Sequence, residues 1–315
     1  MSKLISVIMS TYNESEEWLR KSINSILMQT YTNLELIIVL DNPDNIKNKI
    51  LLHDISEKDS RIKLIINERN LGLVASLNKA LKIASGYYIA RMDADDISVE
   101  ERLARQIEYI ENNNIDFVFS GLNIIDEFDQ SLYNTNVEEI GNKQVSKILK
   151  IANISNHPTW FLKKSIYDDL EGYRELKYCE DYDFTLRSLK KGYKIGKMPG
   201  YVLQYRIRQD SISRKFSLVQ YLNSKGILEA YNNDSIFEDV TIQSILQNSS
   251  SIATENQIKK FTHAERLFNE SVIDFKNKEI LNSIKNIIGS MTRSKYFREK
   301  NLGLFKYKLV YKFKL

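Results

Sequence analysis

Cysteine is almost missing from this chain. Cys179 stands alone in 315 residues, which excludes an internal disulfide framework and favours a reducing compartment. Three prolines and eleven glycines are too few for a low-complexity segment or a long flexible linker. No apolar run approaches the roughly 18 residues that a membrane span needs. The opening MSKLISVIMS has one lysine and too short an apolar stretch for a secretory signal, so a cytoplasmic placement is expected. Phosphate-binding glycine signatures are absent too. No G-x-G-x-x-G follows the first strand-like segment and no G-x-x-x-x-G-K-[ST] occurs, so neither a dinucleotide cofactor nor a P-loop is supported. Strong charge of one sign is also lacking, the net being +4, and nucleic acid is therefore not an expected partner. The basic residues do concentrate at one end, with eight Lys/Arg against one acid from Arg293 to Leu315.

What is present centres on Tyr87–Asp96, YYIARMDADD. Apolar, β-prone residues run directly into Asp93, Asp95 and Asp96. A buried strand ending in acids puts negative charge at the carboxyl edge of a sheet, where open α/β folds bind ligands. Asp93 and Asp95 are two apart and point the same way in an extended segment, which suits a divalent cation and, through it, a diphosphate. Charge this dense is costly unless a metal, a base or solvent compensates it.

Taken in order, Ile5–Met9 reads as a strand, Glu16–Met28 as a helix, Leu34–Leu40 as a strand, Asn45–Glu57 as a polar helix and Ile62–Ile66 as a third strand. A turn at Asn67–Gly72 leads into helix Leu73–Ala84, whose apolar residues form a 3.6-residue stripe. After the acidic strand, Ser98 and Glu101 match a capping box for a helix ending near Asn112. Alternating strands and helices with near-continuous apolar strands predict an α/β fold, a mostly parallel sheet with helices on both faces. Each polar cluster follows a strand: Thr11–Glu14, Asp41 and Asp93–Asp96. They should gather on one edge.

Six segments in a fixed order carry a resemblance: VIMSTYNE, VLDNPD, NERNLGLVASLNKAL, YIARMDADD, and then NHPTWFLKKSIYDDLEGYRE with CEDYDFTLRSLKKGYKIGKMP. Together they resemble family 2 glycosyltransferases over residues 4 to 208, enzymes with the Rossmann-like GT-A fold and a D-x-D metal motif. The resemblance implies a catalytic domain over 1–210, with a nucleotide-sugar half at about 1–97 and an acceptor half at about 98–210. A helical region with a basic aromatic tail would occupy 211–315. It implies Thr11, Tyr12 and Glu14 beside the uracil or ribose, and Asp41 reading the base edge. Asn70 and Gly72 would lie near the nucleotide, and Arg91 near the donor phosphates or sugar. Asp93 would contact ribose or donor sugar, and Asp95, with Asp93, would ligate Mg²⁺ or Mn²⁺. The Glu180-Asp181 pair matches the family's E-D motif, with Asp181 as general base and an inverting displacement. The implied partners are a UDP-sugar donor and a glycan or polyprenyl-diphosphate-linked saccharide acceptor of O-antigen or capsule biosynthesis.

Each position also has a plainer reading. Acids such as Glu180 and Asp181 at a helix start are stabilised by its dipole without catalysis; their place after the D-x-D favours the catalytic role. His157 fits an acceptor contact, a third metal ligand or a structural histidine, and a site role is preferred because it matches a family position. Trp18 reads as helix core, Trp160 as either a sugar platform or strand packing, and Cys179 as packing. Two other function classes stand beside the first. A sugar-1-phosphate nucleotidyltransferase shares a similar fold, but the first-strand loop lacks its glycine-rich basic segment. A non-catalytic carbohydrate-binding subunit with a degenerate site is opposed by intact Asp93, Asp95 and Asp181.

Beyond Arg208, Ser213–Tyr231, Phe237–Leu246 and Gln257–Met291 read as helices, with Gln247–Asn256 as a linker. Phe261, Leu267, Phe268, Val272, Ile273 and Phe275 form an apolar face suited to packing on the catalytic domain. The terminal FKYKLVYKFKL alternates with period two and predicts a strand. Its lysines suit a peripheral contact with anionic lipid at the inner face of the cell membrane; a solvated or pairing edge strand is the alternative.

Overall fold

The computed structural model describes residues 2–208 and 216–313. Two compact units emerge: Met1–Ser146 with Ile154–Glu175 and Arg187–Gln209, and Lys147–Asn153 with Leu176–Leu186 and Asp210–Leu315. The expected boundary at 210/211, and the start of the helix expected from Ser213, lie outside the described residues.

The first unit holds one nine-stranded sheet. Its strands are β1 (Ile5–Thr11), β2 (Leu34–Leu40), β3 (Ile62–Ile66), β4 (Tyr88–Asp93), β5 (Ile97–Ser98), β6 (Phe117–Ile125), β7 (Ser131–Asn134), β8 (Phe161–Lys163) and β9 (Ile195–Arg206). They are ordered β3-β2-β1-β4-β8-β6-β9-β5, with β7 paired to β6. The β3-β2-β1-β4 block is parallel throughout, as its apolar runs predict; all seven residues of β2 are buried, so that strand is covered on both faces. Short β8 is antiparallel to both β4 and β6, which restores the common direction to β6 and, through it, β9.

Helices α1 (Glu16–Leu27), α2 (Ile46–Lys58), α3 (Leu73–Ile83) and α4 (Arg102–Asn113) follow β1, β2, β3 and β5. Ser15 and Asn45 cap the first two by accepting the N–H groups of Trp18 and Asn48. Leu19, Ile23 and Ile26 of α1 join the core under β1 and β2. The capping box expected at Ser98 and Glu101 does not form. Ser98 is held in β5 opposite Leu203, and its Oγ accepts from the Arg102 guanidinium at 3.1 Å instead. Sheet pairing outcompetes the local cap. Three short helices complete the series before the chain leaves the sheet: α5 (Asn142–Leu149), α6 (Lys164–Asp169) and α7 (Glu180–Lys190).

The second unit holds α8 (Ser217–Asn232), α9 (Asp239–Ile252), α10 (Glu255–Lys276), α11 (Ile280–Arg293) and α12 (Lys295–Phe313); Leu218 and Leu222 of α8, Phe261 and Ala264 of α10 and Phe297 of α12 form a core cluster. Four sequence expectations change here. The Gln247–Asn256 linker is helical as far as Ile252, and the break shrinks to Ala253 and the Thr254 cap. One helix over 257–291 becomes two, parted after Lys276. Of the apolar face on α10, Phe261 is buried and Leu267 and Phe268 half-buried, whereas Val272, Ile273 and Phe275 are exposed. The tail is a helix up to Phe313, not a strand. Among the described residues the tail pairs with no strand, and local i→i−4 bonds satisfy its backbone.

Candidate active site

The parallel register brings the polar clusters together. Ser10 lies opposite Asp93 and Thr11 opposite Leu40, and the Asp41 N–H donates to the Thr11 carbonyl at 2.8 Å. Strand order reverses between β1 and β4, the position where open α/β sheets bind ligands beyond their carboxyl ends. Parallel β6 and β9 deliver Asp126 and Arg206 to the same edge.

On the β1 loop, Glu14 Oε2 accepts from Thr11 Oγ1 and from the Tyr12 N–H, both at 2.7 Å. Thr11 is buried and Tyr12 exposed, so the loop offers a ring at its rim over a rigid acidic base. Asp41, also buried, brackets the next turn. It accepts from Asn67 Nδ2 at 2.7 Å and from the Leu71 and Gly72 N–H groups at 2.8 Å each. Asn70 Oδ1 accepts the Gly72 N–H as well, at 3.0 Å. Gly72 sits at φ +88°, a left-handed conformation that glycine adopts without steric cost. Lys79 Nζ reaches Asn67 Oδ1 at 2.8 Å. Asp41 thus builds the Asn67–Gly72 turn from within.

At the end of β4, Arg91 is buried and forks onto Asp93, with Nη–O distances of 2.7 and 2.6 Å. Burial opposes its charge, but Asp93 more than compensates and raises its pKa further. Asp95 meets Arg208 Nε at 3.0 Å. Burial, then the Asp93 charge, pushes the Asp95 carboxyl up to about 6 against the pull of Arg208. Asp96 is fully buried; its Oδ1 accepts the Arg206 N–H at 2.9 Å, while Oδ2 has no hydrogen-bond partner among the described residues. Burial, then the Asp93 and Asp95 charges, raises its pKa well above the usual carboxylate range.

Asp93 and Asp95 offer hard carboxylate oxygens of the kind a divalent cation takes, and each already meets an arginine, Arg91 and Arg208. No group of three or more His, Cys, Asp or Glu that could hold a metal occurs among the described residues. Two carboxylates alone would leave most positions around such an ion to oxygens from outside the protein.

Several residues here had not been read from the sequence. Arg206 is fully buried, donating to the Asp95 carbonyl at 2.9 Å and the Asp126 carbonyl at 3.0 Å. It pairs with Asp129 at 2.6 Å, and Asp129 is held in turn by Lys21. Trp18 is half-buried rather than core, with the Arg206 and Arg208 guanidinium groups 4.9 and 5.9 Å from its ring centre. Arginine over an aromatic face is a favourable pairing, and it holds buried Arg206 and partly exposed Arg208 against one ring. The only sequence signal for this arrangement was a pair of arginines two apart at a strand end.

His157 lies in a one-turn 3₁₀ helix, His157–Thr159. Its Nε2 is 2.8 Å from the Tyr173 hydroxyl, and its ring packs edge-on to Trp160. Burial, then the Arg91 charge, pulls its pKa well below normal, so the ring is neutral. Trp160 is fully buried against Phe117, His157 and Tyr173, which settles it as packing rather than a sugar platform.

Glu180 and Asp181 belong to the second unit and open α7. Asp181 Oδ2 accepts from Asn153 Nδ2 at 2.9 Å and Oδ1 accepts the Tyr182 N–H at 2.7 Å. Both acids are half-buried. Both oxygens of the Asp181 carboxylate are thus held by neighbours. Cys179 beside them is buried, and burial raises its thiol pKa, so it is a packing residue.

The family model for glycosyl transferase family 2 matches residues 6–170. A protein of Methanocaldococcus jannaschii described as an uncharacterised glycosyltransferase is 41% identical over 227 residues, covering 70% of this chain and 78% of its own length. An Escherichia coli UDP-Glc:alpha-D-GlcNAc-diphosphoundecaprenol beta-1,3-glucosyltransferase, WfgD, is 43% identical over 123 residues, covering 39% of this chain and 47% of its own. Among solved structures, S. aureus TarS 1-349 in complex with UDP-GlcNAc matches with a TM-score of 0.59 at 18% identity, over 92% of this chain and 91% of that one. At that identity the likeness concerns the fold.

Proposed function

Because the chain belongs to glycosyl transferase family 2 and is a glycosyltransferase, we propose that it moves a hexose or N-acetylhexosamine from a UDP-sugar to a hydroxyl of a glycan or polyprenyl-diphosphate-linked saccharide. The setting is surface-polysaccharide assembly, O-antigen or capsule, at the cytoplasmic face of the membrane. The observation that carries this reading is the convergence of the Glu14 loop, the Asp41–Gly72 turn and the Asp93–Asp95 pair on one sheet edge. The donor and lipid-linked acceptor named for the Escherichia coli relative support it.

In this reading Tyr12 lies along the uracil, with Thr11 and Glu14 beneath. Asp41 presents the backbone of Asn70–Gly72 to the nucleotide. Asp95, with Asp93, would hold Mg²⁺ or Mn²⁺, whose Lewis acidity would neutralise charge on the departing diphosphate. Arg208, partly exposed beside Asp95, supplies a guanidinium for the same phosphates. Arg91 holds Asp93 in place, and neutral His157 supports the floor below it. Asp181, with Glu180 beside it, takes the proton of the acceptor hydroxyl. That oxygen attacks the anomeric carbon from the face opposite the leaving group. The bond to the diphosphate then breaks, its electron pair leaves with UDP, and an α-linked donor gives a β-glycoside.

The test is nucleoside-diphosphate release from a panel of UDP-, GDP- and dTDP-sugars with and without Mn²⁺, followed by transfer to a lipid-linked saccharide. One donor should give metal-dependent release, and Asp181→Asn should lower transfer by about 10²–10⁴-fold, the usual contribution of a general base. Transfer undiminished in that variant overturns the base assignment. Pyrophosphate release from a nucleoside triphosphate would instead identify a nucleotidyltransferase.

A further inference from the structure

Helix α11 faces the wrong way for a core helix. Its buried positions are small and polar, Ser283 and Ser290. Ser283 Oγ donates to the Ser271 carbonyl of α10 at 2.8 Å, and Asn286 Nδ2 donates to Asp274 at 2.9 Å. A Cβ at Gly289 would lie 3.3 Å from Leu267, so the helix sits close on α10 through its small residues. Its large residues point outward. Ile280, Leu281, Ile284, Ile287 and Ile288 are all exposed, Leu281 by 84%. Their spacing of i, i+1, i+4, i+7 and i+8 makes one stripe. The neighbouring helices carry exposed rings as well, Phe275 on α10 and Phe305 on α12, exposed by 66% and 60%. An exposed apolar stripe of this kind marks an interaction site.

We propose that this face docks the enzyme on an anionic bilayer. Between Val272 and Lys312 there are ten Lys/Arg against three acids, and Lys276, Lys285, Arg293 and Lys306 are exposed. An apolar stripe flanked by cations matches the acyl boundary and headgroups of an anionic leaflet, where an amphipathic helix lies in the interface plane. A second copy of this chain is a poorer occupant, because a two-fold contact would set the same basic residues against themselves. No helix among the described residues is long and apolar enough to cross a membrane, and α11 has 14 residues where a span needs about 20. The contact lies on the surface of the bilayer. It deepens the reading of a lipid-linked acceptor and rests on that reading for its purpose, but a vesicle assay reads it without turnover, so the two fail separately.

The experiment is flotation of the full chain with vesicles of phosphatidylcholine alone or mixed with phosphatidylglycerol. Wild type should float with the anionic vesicles, release in high salt, and stay behind with neutral ones. The triple variant Leu281→Gln/Ile284→Gln/Ile288→Gln should bind at least about tenfold more weakly, while donor hydrolysis in lipid-free buffer stays unchanged and so reports an intact fold. An environment-sensitive dye on Leu281→Cys should shift to the blue only with anionic vesicles. Equal binding to neutral vesicles, undiminished binding by the triple variant, or a dye that stays in water overturns the proposal. So does a wild-type oligomer that the triple variant dissolves without any vesicle binding.

Discussion

Asp41→Asn exchanges one oxygen for nitrogen and removes one charge at the buried bracket between the β2 end and the Asn67–Gly72 turn. The wild-type carboxylate accepts three bonds, two on Oδ1 and one on Oδ2. Bonds to a charged acceptor contribute about 1.5–3 kcal/mol and neutral ones about 0.5–1.5. With its oxygen kept toward Asn67 and Leu71, the amide weakens those two bonds by about 1 kcal/mol each. Its NH₂ then meets the Gly72 N–H, donor against donor, for about 2 kcal/mol more. The opposite amide orientation breaks two bonds instead of one and is worse. The sum is about 4 kcal/mol, a large share of a domain's usual 5–15. At about 2–4 °C per kcal/mol for a unit of this size, its melting temperature should fall by roughly 8–16 °C. Calorimetric melting at pH 7 with a UDP titration is the assay. A variant that melts within about 3 °C of wild type refutes the bracket, and if it has also lost UDP binding, Asp41 serves the base and not the turn.

Two further changes probe the same scaffold. Gly72→Ala meets nothing within 4 Å of its new Cβ, so its cost is the left-handed backbone alone, about 1–2 kcal/mol; urea unfolding should show that loss, and a stabilised variant would contradict the geometry. Glu35 is buried, which would raise its pKa, but bonds from Lys63, Ser6 and Ser85 hold it down to about 2. A depressed carboxylate stabilises the fold above its unfolded value of about 4.5 and loses that contribution as pH falls toward 2. The stability gap between wild type and Glu35→Gln should therefore be full at pH 7 and shrink from pH 4.5 downward, and a gap independent of pH would refute the assignment.

The alternation of strands and helices through residue 113 was readable because buried parallel strands are written as apolar runs. Leu34–Leu40 and Ile62–Ile66 have the same limits in the chain as in the sheet. The acids at the end of β4 were equally readable, since three carboxylates closing an apolar strand have few uses. Local pattern failed where a partner far along the chain decided the outcome. Ser98 was claimed by β9 rather than by its own helix. Trp18 became a platform for Arg206 and Arg208, nearly 190 residues away in the chain. The terminal segment alternates with period two, yet with no strand to pair with it closes its hydrogen bonds within a helix.

By itself, then, the sequence determined the α/β class, the order of the first elements and the residue types at the sheet edge, because periodicity and composition are local properties. Tertiary structure alone decided which of those residues meet. Strand register put Asp93 beside Ser10 and made Asp41 a clamp on Gly72. The pairing of β9 with β6 carried Arg206 under Asp95, and packing through serines turned the isoleucines of α11 outward. Those outcomes depend on which distant backbone satisfies each hydrogen bond and which side chains fill each gap, and no local stretch of sequence carries that information.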